Sequence, residues 1–310
     1  MSISSDPEVS IGMPVRNCES TIAAAIRSIV HQTYTRWELL VLDDGSSDRT
    51  LEAVCGLRDP RIRIVRDGLH AGLPTRLNQA VQLSRAKYFA RMDGDDVCFP
   101  DRLQRQIDYL ESHPGVDLLA TGVVVFRGDG FVLGQRRCPA SHEEICRRPW
   151  SSFPMPHPTW MGRTEWFRNH PYDPRVVRAE DQELLLRTCR QSRFAGLEEA
   201  LLGYREERLR WGRISRGRMN YVEAGLRQFF REREWGNAVA LALGHGFKML
   251  ADTVAIASGL EHRLLRHRAR PISETLLRRW ALVWELNRSD GLEPYSSGDS
   301  FAECWTEGNG

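Results

Sequence analysis

The chain of 310 residues has the length of about two average domains, or of one large α/β domain with an appendage. Its apolar share of 41%, charged share of 27% and formal net charge of +2 exclude a disordered chain, a coiled coil and a multi-span membrane protein. The same near-neutral balance argues against a nucleic-acid binder, and no nucleic-acid partner is expected.

Strand and helix alternate over the first 125 residues. Val9 to Met13 reads as a short buried strand stopped by Pro14. Ser20 or Thr21 is placed to cap a helix through Ala23, Ile26, Ile29 and Val30. Trp37 to Leu42 is the next apolar run, ending at Asp43-Asp44-Gly45, and a helix opens at Ser47 or Asp48 towards Cys55. Strands follow at Ile62 to Val65, Tyr88 to Met92 and Val116 to Phe126, with helices at Pro74 to Ser84 and from Pro100-Asp101 to about Ser112. This alternation predicts right-handed βαβ units and a Rossmann-like, mostly parallel sheet flanked by helices. In such sheets ligands bind beyond the carboxyl ends of the strands. Three of those ends carry Asn17, Asp43-Asp44 and Asp93-Gly94-Asp95-Asp96.

From Gly130 to Arg205 prolines crowd the chain, which predicts a loop-rich half completing the same domain. Ala179 to Arg190 reads as a helix entered through two acids, which suit its positive end. Between Arg205 and Arg279 there are 16 Arg or Lys against 8 Asp or Glu, in a helical pattern that marks a basic C-terminal appendage. Within it Leu277, Trp280, Ala281 and Trp284 form an apolar stripe, with Arg263, Arg266, Arg268 and Arg270 upstream. Such a stripe either lies on an anionic membrane or packs on the first domain or a second subunit.

Seven scattered cysteines form no C-x-x-C pair, so neither a zinc site nor a disulfide framework is expected, and the thiols read as reduced in a cytosolic setting. Met1 to Glu8 has no apolar run, so no secretory leader is expected. The nearest candidate for a spanning helix, Ala238 to Leu260, is interrupted by His245, Lys248 and Asp252.

Three carboxylates in Asp93-Gly94-Asp95-Asp96 repel one another unless a cation neutralises them, and hard divalent ions such as Mg²⁺ and Mn²⁺ favour such oxygen ligands. Gly94 would allow a tight turn that aims the flanking acids inward. Alone, the segment reads equally as a solvated acidic turn. Asp44 can accept hydrogen bonds from a base or ribose, yet Asp43 to Asp48 also has the composition of a helix-capping turn. Glu180-Asp181 reads either as first-turn helix acids or as a general base.

Taken in order, VSIGMPVRN, ELLVLDDGSSDRT, RLNQAV, ARMDGDDVCFPDRL, PHPTWMGRTEWF, YDPRVVRAEDQELLLR and LLGYR resemble family 2 glycosyltransferases of the GT-A fold, over about residues 8–205. The resemblance implies a catalytic domain at 1–205, with a nucleotide-sugar half near 8–125 and an acceptor half near 126–205, followed by the helical region 206–310. It implies that Asp44 binds the nucleobase, with Pro14, Arg16, Asn17 and Asn78 on the same donor side. Asp93 would lie towards the ribose, and Asp95 would hold Mn²⁺ or Mg²⁺ on the diphosphate of a nucleotide sugar, a UDP-sugar first. Asp181 would be the base in an inverting transfer. His157, Glu180, Arg205 and Trp211 would lie on the side of a saccharide or lipid-linked saccharide acceptor, as in bacterial surface-polysaccharide assembly, with peripheral contact at the inner face of the membrane.

The pattern also departs from the family. Arg16 replaces an aromatic that packs on the base, and a guanidinium can still stack there. Glu206 and Glu207 follow Arg205 where relatives carry a His, leaving Arg208, Arg210 or Arg213 as substitute cations. The processive Q-x-x-R-W signature is absent. An NAD-dependent enzyme would need G-x-G-x-x-G and a P-loop enzyme G-x-x-x-x-G-K-[ST], and neither is present. A sugar nucleotidyltransferase would need a glycine-rich first loop. A GT-A-like binding module without turnover is the non-enzymatic alternative.

Overall fold

The computed structural model describes residues 6–206, 211–258, 270–288 and 305–307. The N-terminal half alternates β1 (Val9–Val15), α1 (Ile22–Val30), β2 (Trp37–Asp43), α2 (Thr50–Cys55), β3 (Ile62–Arg66), α3 (Leu73–Leu83), β4 (Tyr88–Arg91), a two-residue β5 (Val97–Cys98), α4 (Arg102–Ser112) and β6 (Leu118–Phe126). After it come β7 (Val132–Arg136), a short α5 (His142–Ile145), β8 (Met161–Arg163), α6 (Thr164–Asn169), α7 (Glu180–Thr188) and β9 (Phe194–Arg205). The C-terminal region supplies α8 (Trp211–Arg231), α9 (Trp235–Ala257), α10 (Glu274–Arg288) and β10 (Trp305–Glu307).

All ten strands join one sheet in the order β10-β3-β2-β1-β4-β8-β6-β9-β5, with β7 on β6. The predicted parallel sheet is found from β10 to β4. Beyond it β8 pairs antiparallel with β4 and β6, and β7 and β5 also join antiparallel. β1 and β2 are buried along their whole length because helices cover both faces. Odd residues Ile11, Met13, Leu39 and Val41 enter one core cluster with α1, while Leu40 and Leu42 face the other with Leu77, Ala80 and Val81 of α3.

Pro14 does not end β1. The β4 ladder stops at Gly12 opposite Arg91, so beyond Gly12 only β2 continues the pairing, as far as Val15 opposite Asp43. The missing N–H of Pro14 falls on the side that β4 has already left. Thr21 occupies the N-cap position of α1, but its hydroxyl donates to the Cys18 and Gly94 carbonyls (3.3 and 2.9 Å) rather than capping the helix.

The C-terminal region packs back on the domain. Leu276, Trp280, Val283, Trp284 and Asn287 form the inward face of α10, against Phe99, Phe126 and Ala200. This corrects the register of the expected stripe: Leu277 and Ala281 face outward, because the Asn287 side chain and carbonyl are held by His31 (3.1 Å) and Arg27 (2.8 Å) of α1. Trp280 is buried and donates its indole N–H to the Gly130 carbonyl, and Arg279 pairs with Asp101. This apolar stripe therefore packs on the catalytic domain. Arg263, Arg266 and Arg268 lie outside the described residues.

Candidate active site

Three turns meet at the carboxyl ends of β1, β2 and β4. The first two are stapled by reciprocal bonds. The Asn17 carboxamide oxygen accepts from the Ser47 amide (2.8 Å) and the Asn17 amide donates to Ser46 Oγ (3.1 Å). Asp48 accepts from the Glu19 amide (3.1 Å) and from Thr50, so Asp48 serves as a turn brace. Asn17 adopts φ +53°, a left-handed conformation that asparagine tolerates. The third turn needs Gly94 for space rather than for dihedral freedom: a Cβ there would stand 2.8 Å from Val15 Cγ1.

Asp44 is buried at the end of β2 and saturated with donors. Its Oδ1 accepts from the Ala71 and Gly72 amides (2.7 and 3.1 Å) and from Arg76 Nε (3.0 Å), and its Oδ2 from His70 Nδ1 (2.7 Å). Burial opposes its ionisation, but these bonds outweigh burial and hold the carboxyl below the usual range. Arg76 is itself buried and turns its remaining donors on Asp67, Gln79 and the Leu69 carbonyl, fastening the 67–72 loop over β2. His70 Nε2 meets Arg16 at 2.9 Å; a guanidinium only donates, so the imidazole proton sits on Nδ1 towards Asp44. Arg16, expected to stack on a base, is thus an exposed cation at the rim of this loop. Asn78, expected on the donor side, spends its amide on the main chain of Tyr172 (both contacts 2.9 Å).

The acidic turn gathers Asp93, Asp95 and also Asp96, whose ligand oxygens all lie within 4.8 Å of one another. Arg91 grips Asp93 through both guanidinium nitrogens (2.8 and 2.7 Å). Asp96 is buried, and its Oδ1 accepts from the Arg205 amide (2.9 Å) while its Oδ2 has no partner among the described residues. Burial and then Asp93 push Asp95 up to about 6; burial and then Asp95 and Asp93 raise Asp96 well above the usual range. Crowded carboxylates that resist ionising together, with one buried oxygen left over, are the donor set of a hard divalent cation. The residues fit Mn²⁺ or Mg²⁺.

Arg91 also links this turn to the second acidic pair, since its charge acts on Asp96, Glu180 and Asp181 as well as on Asp93. Glu180 opens α7, is buried, and keeps Oε2 without a partner among the described residues; burial and then Asp181 push it up to about 7. Asp181 is raised by burial, partly offset by Gln182, whose amide donates to its Oδ2 at 3.1 Å. Asp181 lines a cavity of about 450 Å³ together with His157, Tyr204, Gln135, Arg136 and Arg137. His157 hydrogen-bonds the buried Tyr172 hydroxyl (2.9 Å), and burial and then Arg91 lower its pKa well below the usual value, so it stays neutral.

Of the residues expected on the acceptor side, His157 lines this cavity beside Asp181. Glu180 is instead buried in the first turn of α7 and does not line the cavity. Arg205 faces the acidic turn, donating to the Asp95 carbonyl (2.8 Å) while stacking on Phe126 and Trp284. Trp211 sits exposed at the start of α8, outside the cavity wall. Arg208 and Arg210 lie outside the described residues, and Glu206 pairs with Arg136.

An acidic turn and a second carboxylate pair, gathered about one buried arginine on a mixed sheet with flanking helices, place the chain among GT-A glycosyltransferases. It belongs to glycosyl transferase family 2, whose model matches residues 10–170. The putative glycosyltransferase EpsE of Bacillus subtilis (strain 168) is 35% identical over 212 residues, covering 66% of this chain and 75% of that one. The UDP-Glc:alpha-D-GlcNAc-diphosphoundecaprenol beta-1,3-glucosyltransferase WfgD of Escherichia coli is 39% identical over 102 residues, 33% of this chain and 40% of its own length. Among solved structures, S. aureus TarS 1–349 in complex with UDP superposes with a TM-score of 0.54 at 17% identity, covering 96% of this chain and all of that one. The TarS complex with UDP-GlcNAc gives 0.55 at 17% identity, with 91% and 89% covered. At that identity the likeness is one of fold.

Proposed function

We propose that the enzyme transfers a sugar from a nucleotide diphosphate donor, a UDP-sugar first, to a hydroxyl of a saccharide or lipid-linked saccharide, with inversion and with a divalent metal. The observation that carries this reading is the cluster of Asp93, Asp95 and Asp96, whose ligand oxygens lie within 4.8 Å of one another, together with a cavity lined by Asp181, the charge of Arg91 acting on both acidic groups. The UDP and UDP-GlcNAc complexes of TarS support the donor class, the name of WfgD supports a diphosphate-lipid-linked saccharide as acceptor, and that of the putative colanic acid biosynthesis glycosyl transferase WcaA supports a role in polysaccharide assembly. With such an acceptor the enzyme would work in the cytoplasm, peripherally on the membrane.

On the donor side Asn17 and Asp44 shape the base and ribose end, with Arg16 at the rim. Asp95 and Asp93, joined by Asp96, would hold Mn²⁺ or Mg²⁺, which supplies charge neutralisation for a departing diphosphate. Arg205 stands beside that turn and adds fixed positive charge. On the acceptor side Asp181 faces the cavity and takes the proton from the attacking hydroxyl. Its raised pKa makes it a stronger base than an exposed aspartate. Neutral His157, pinned by Tyr172, offers a fixed polar wall without competing for the proton. Asp181 is the one carboxylate lining the cavity among the described residues, which supports single displacement by a base without a covalent intermediate.

A screen of nucleotide sugars with Mn²⁺, with and without EDTA, followed by NMR of the product, tests the proposal. Transfer that survives EDTA sinks the metal assignment, and a retained anomeric configuration sinks the single displacement.

A further inference from the structure

α9 is built inside out. Its polar residues face the catalytic domain: His245 Nε2 donates to the Ser151 carbonyl (3.1 Å), Lys248 donates to the same carbonyl and to Ser151 Oγ (3.1 and 2.8 Å), and Asp252 pairs with Arg218 of α8. Its apolar residues divide: Ala238 and Leu241 are buried on the inner face, and a larger stripe faces away. Trp235, Val239, Leu243, Phe247, Leu250 and Val254 are each between 57% and 74% exposed, at a spacing that puts them on one helical face. The stripe runs about 28 Å along the helix. The interruptions that argued in sequence against a spanning helix are thus the anchors that fasten α9 to the domain.

The composition of that face selects its occupant. Its hydroxyls, Thr253 and Ser258, donate back to the Met249 and Val254 carbonyls (2.8 and 2.6 Å) and offer a partner no donor. A protein interface carries about one hydrogen bond per 100–200 Å², whereas a bilayer asks for none. At the amino end of α9 the exposed rings of Phe230 and Trp235 lie 5.3 Å apart, next to the exposed Arg231 and Arg233. Aromatic rings settle at headgroup depth, and each basic residue near an anionic surface favours binding. The acids of the α8–α9 hairpin are held by arginines, Glu223 by Arg227, Asp252 by Arg218, and Glu232 and Glu234 by the shared Arg190, so at the corner Arg190, Arg231 and Arg233 outnumber the two carboxylates and the balance is positive.

We propose that the outward face of α9, with the Phe230–Trp235 corner, seats the enzyme on an anionic lipid bilayer. The helix lies in the interface rather than across it, because its inner face is bonded to the domain. This rests on the peripheral-membrane reading above and gives it a surface, in place of the α10 stripe that the core has taken.

Co-sedimentation of the full chain with phosphatidylglycerol/phosphatidylethanolamine vesicles, and with phosphatidylcholine vesicles, tests it. Wild type is expected to pellet with the anionic vesicles. The double substitution Leu243→Glu with Phe247→Glu, at positions already in water, should lower the partition coefficient at least tenfold. Arg231→Gln with Arg233→Gln should remove the preference for anionic over neutral vesicles. Failure of wild type to bind either vesicle overturns the proposal, as does unchanged binding by the glutamate variant. So does a wild-type dimer in light scattering that the glutamate variant converts to monomer, which would assign the face to a second copy. Thermal stabilisation by UDP, read on the same samples, tests the transferase reading separately.

Discussion

Replacing Asp181 by Asn keeps the shape of a side chain on the cavity wall and removes its ability to take a proton. The Gln182 amide that donates to Asp181 Oδ2 still finds an oxygen in the amide. A positioned general base contributes typically about 10²–10⁴ in rate, which at ~1.4 kcal/mol per decade is about 3–5 kcal/mol of barrier. The proposed donor side, with Asp44, Asp93, Asp95 and Asp96, is untouched, so UDP affinity by calorimetry should hold while transfer falls at least ~100-fold. The pH dependence follows from the raised pKa of Asp181, caused first by burial. Because the folded protein binds that proton more tightly than the unfolded chain, ionisation costs stability as the pH rises through the folded pKa. The Asn variant escapes that cost and should melt no lower than wild type above neutral pH. Wild-type turnover should rise with pH along a limb above the ordinary aspartate range. Equal losses of UDP affinity and rate, or a lowered melting temperature at pH 8, would show a structural helix acid instead and refute the assignment.

Asp95→Ala should abolish transfer and remove the Mn²⁺-dependent part of UDP binding; wild-type turnover after EDTA treatment and Mn²⁺ resupply would contradict the site. Arg76→Leu leaves Asp44 and Asp67 without their shared cation, so urea unfolding should register a loss of about 3–5 kcal/mol, the usual cost of breaking a buried pair. The same variant should raise the donor KM, because the 67–72 loop is no longer fastened over β2. Trp280→Ala empties a fully enclosed site between Phe99 and Phe126 and should cost about 3–5 kcal/mol in the same assay. A change below ~1 kcal/mol there would mean that α10 is not part of the core.

The alternating half of the fold was legible because its strands are buried on both faces and read as unbroken apolar runs, Val9 to Val15 and Trp37 to Leu42. β5, β7 and β8 escaped because strands of two to five residues among prolines leave no period to count. The acidic turn stood out as a local string, Asp93 to Asp96, yet the expected metal ligands were Asp93 and Asp95 alone, whereas Asp96 lies in the same cluster and keeps a buried oxygen without a partner among the described residues. Arg91, Arg76 and His70 were missed for a common reason. Their roles come from contacts across the fold, as between Arg76 and Asp44 or His70 and Asp44, or from charge acting at a distance, as Arg91 on Glu180, and only the strings ARMDGDD and RLNQAV held a trace of the two arginines. The face of α10 was misplaced by one position because Asn287, which hydropathy counts as polar, is buried through its own hydrogen bonds.

The docking of α10 on β5, β6 and β9 has a consequence for how the chain is made. Phe126 leaves the ribosome roughly 150 residues before Trp280, and at typical elongation rates of about 5–20 residues per second the interval is ~8–30 s. Throughout it Phe99 and Phe126, joined by Ala200 about halfway, present an apolar surface that nothing yet covers. The sheet edge waits longer still, since β3 gains its outer neighbour β10 only when residues 305–307 emerge. The sheet is therefore synthesised early and closed late. In the meantime the nascent chain offers chaperones an uncovered aromatic patch and an open strand edge, the two features through which unfinished proteins aggregate.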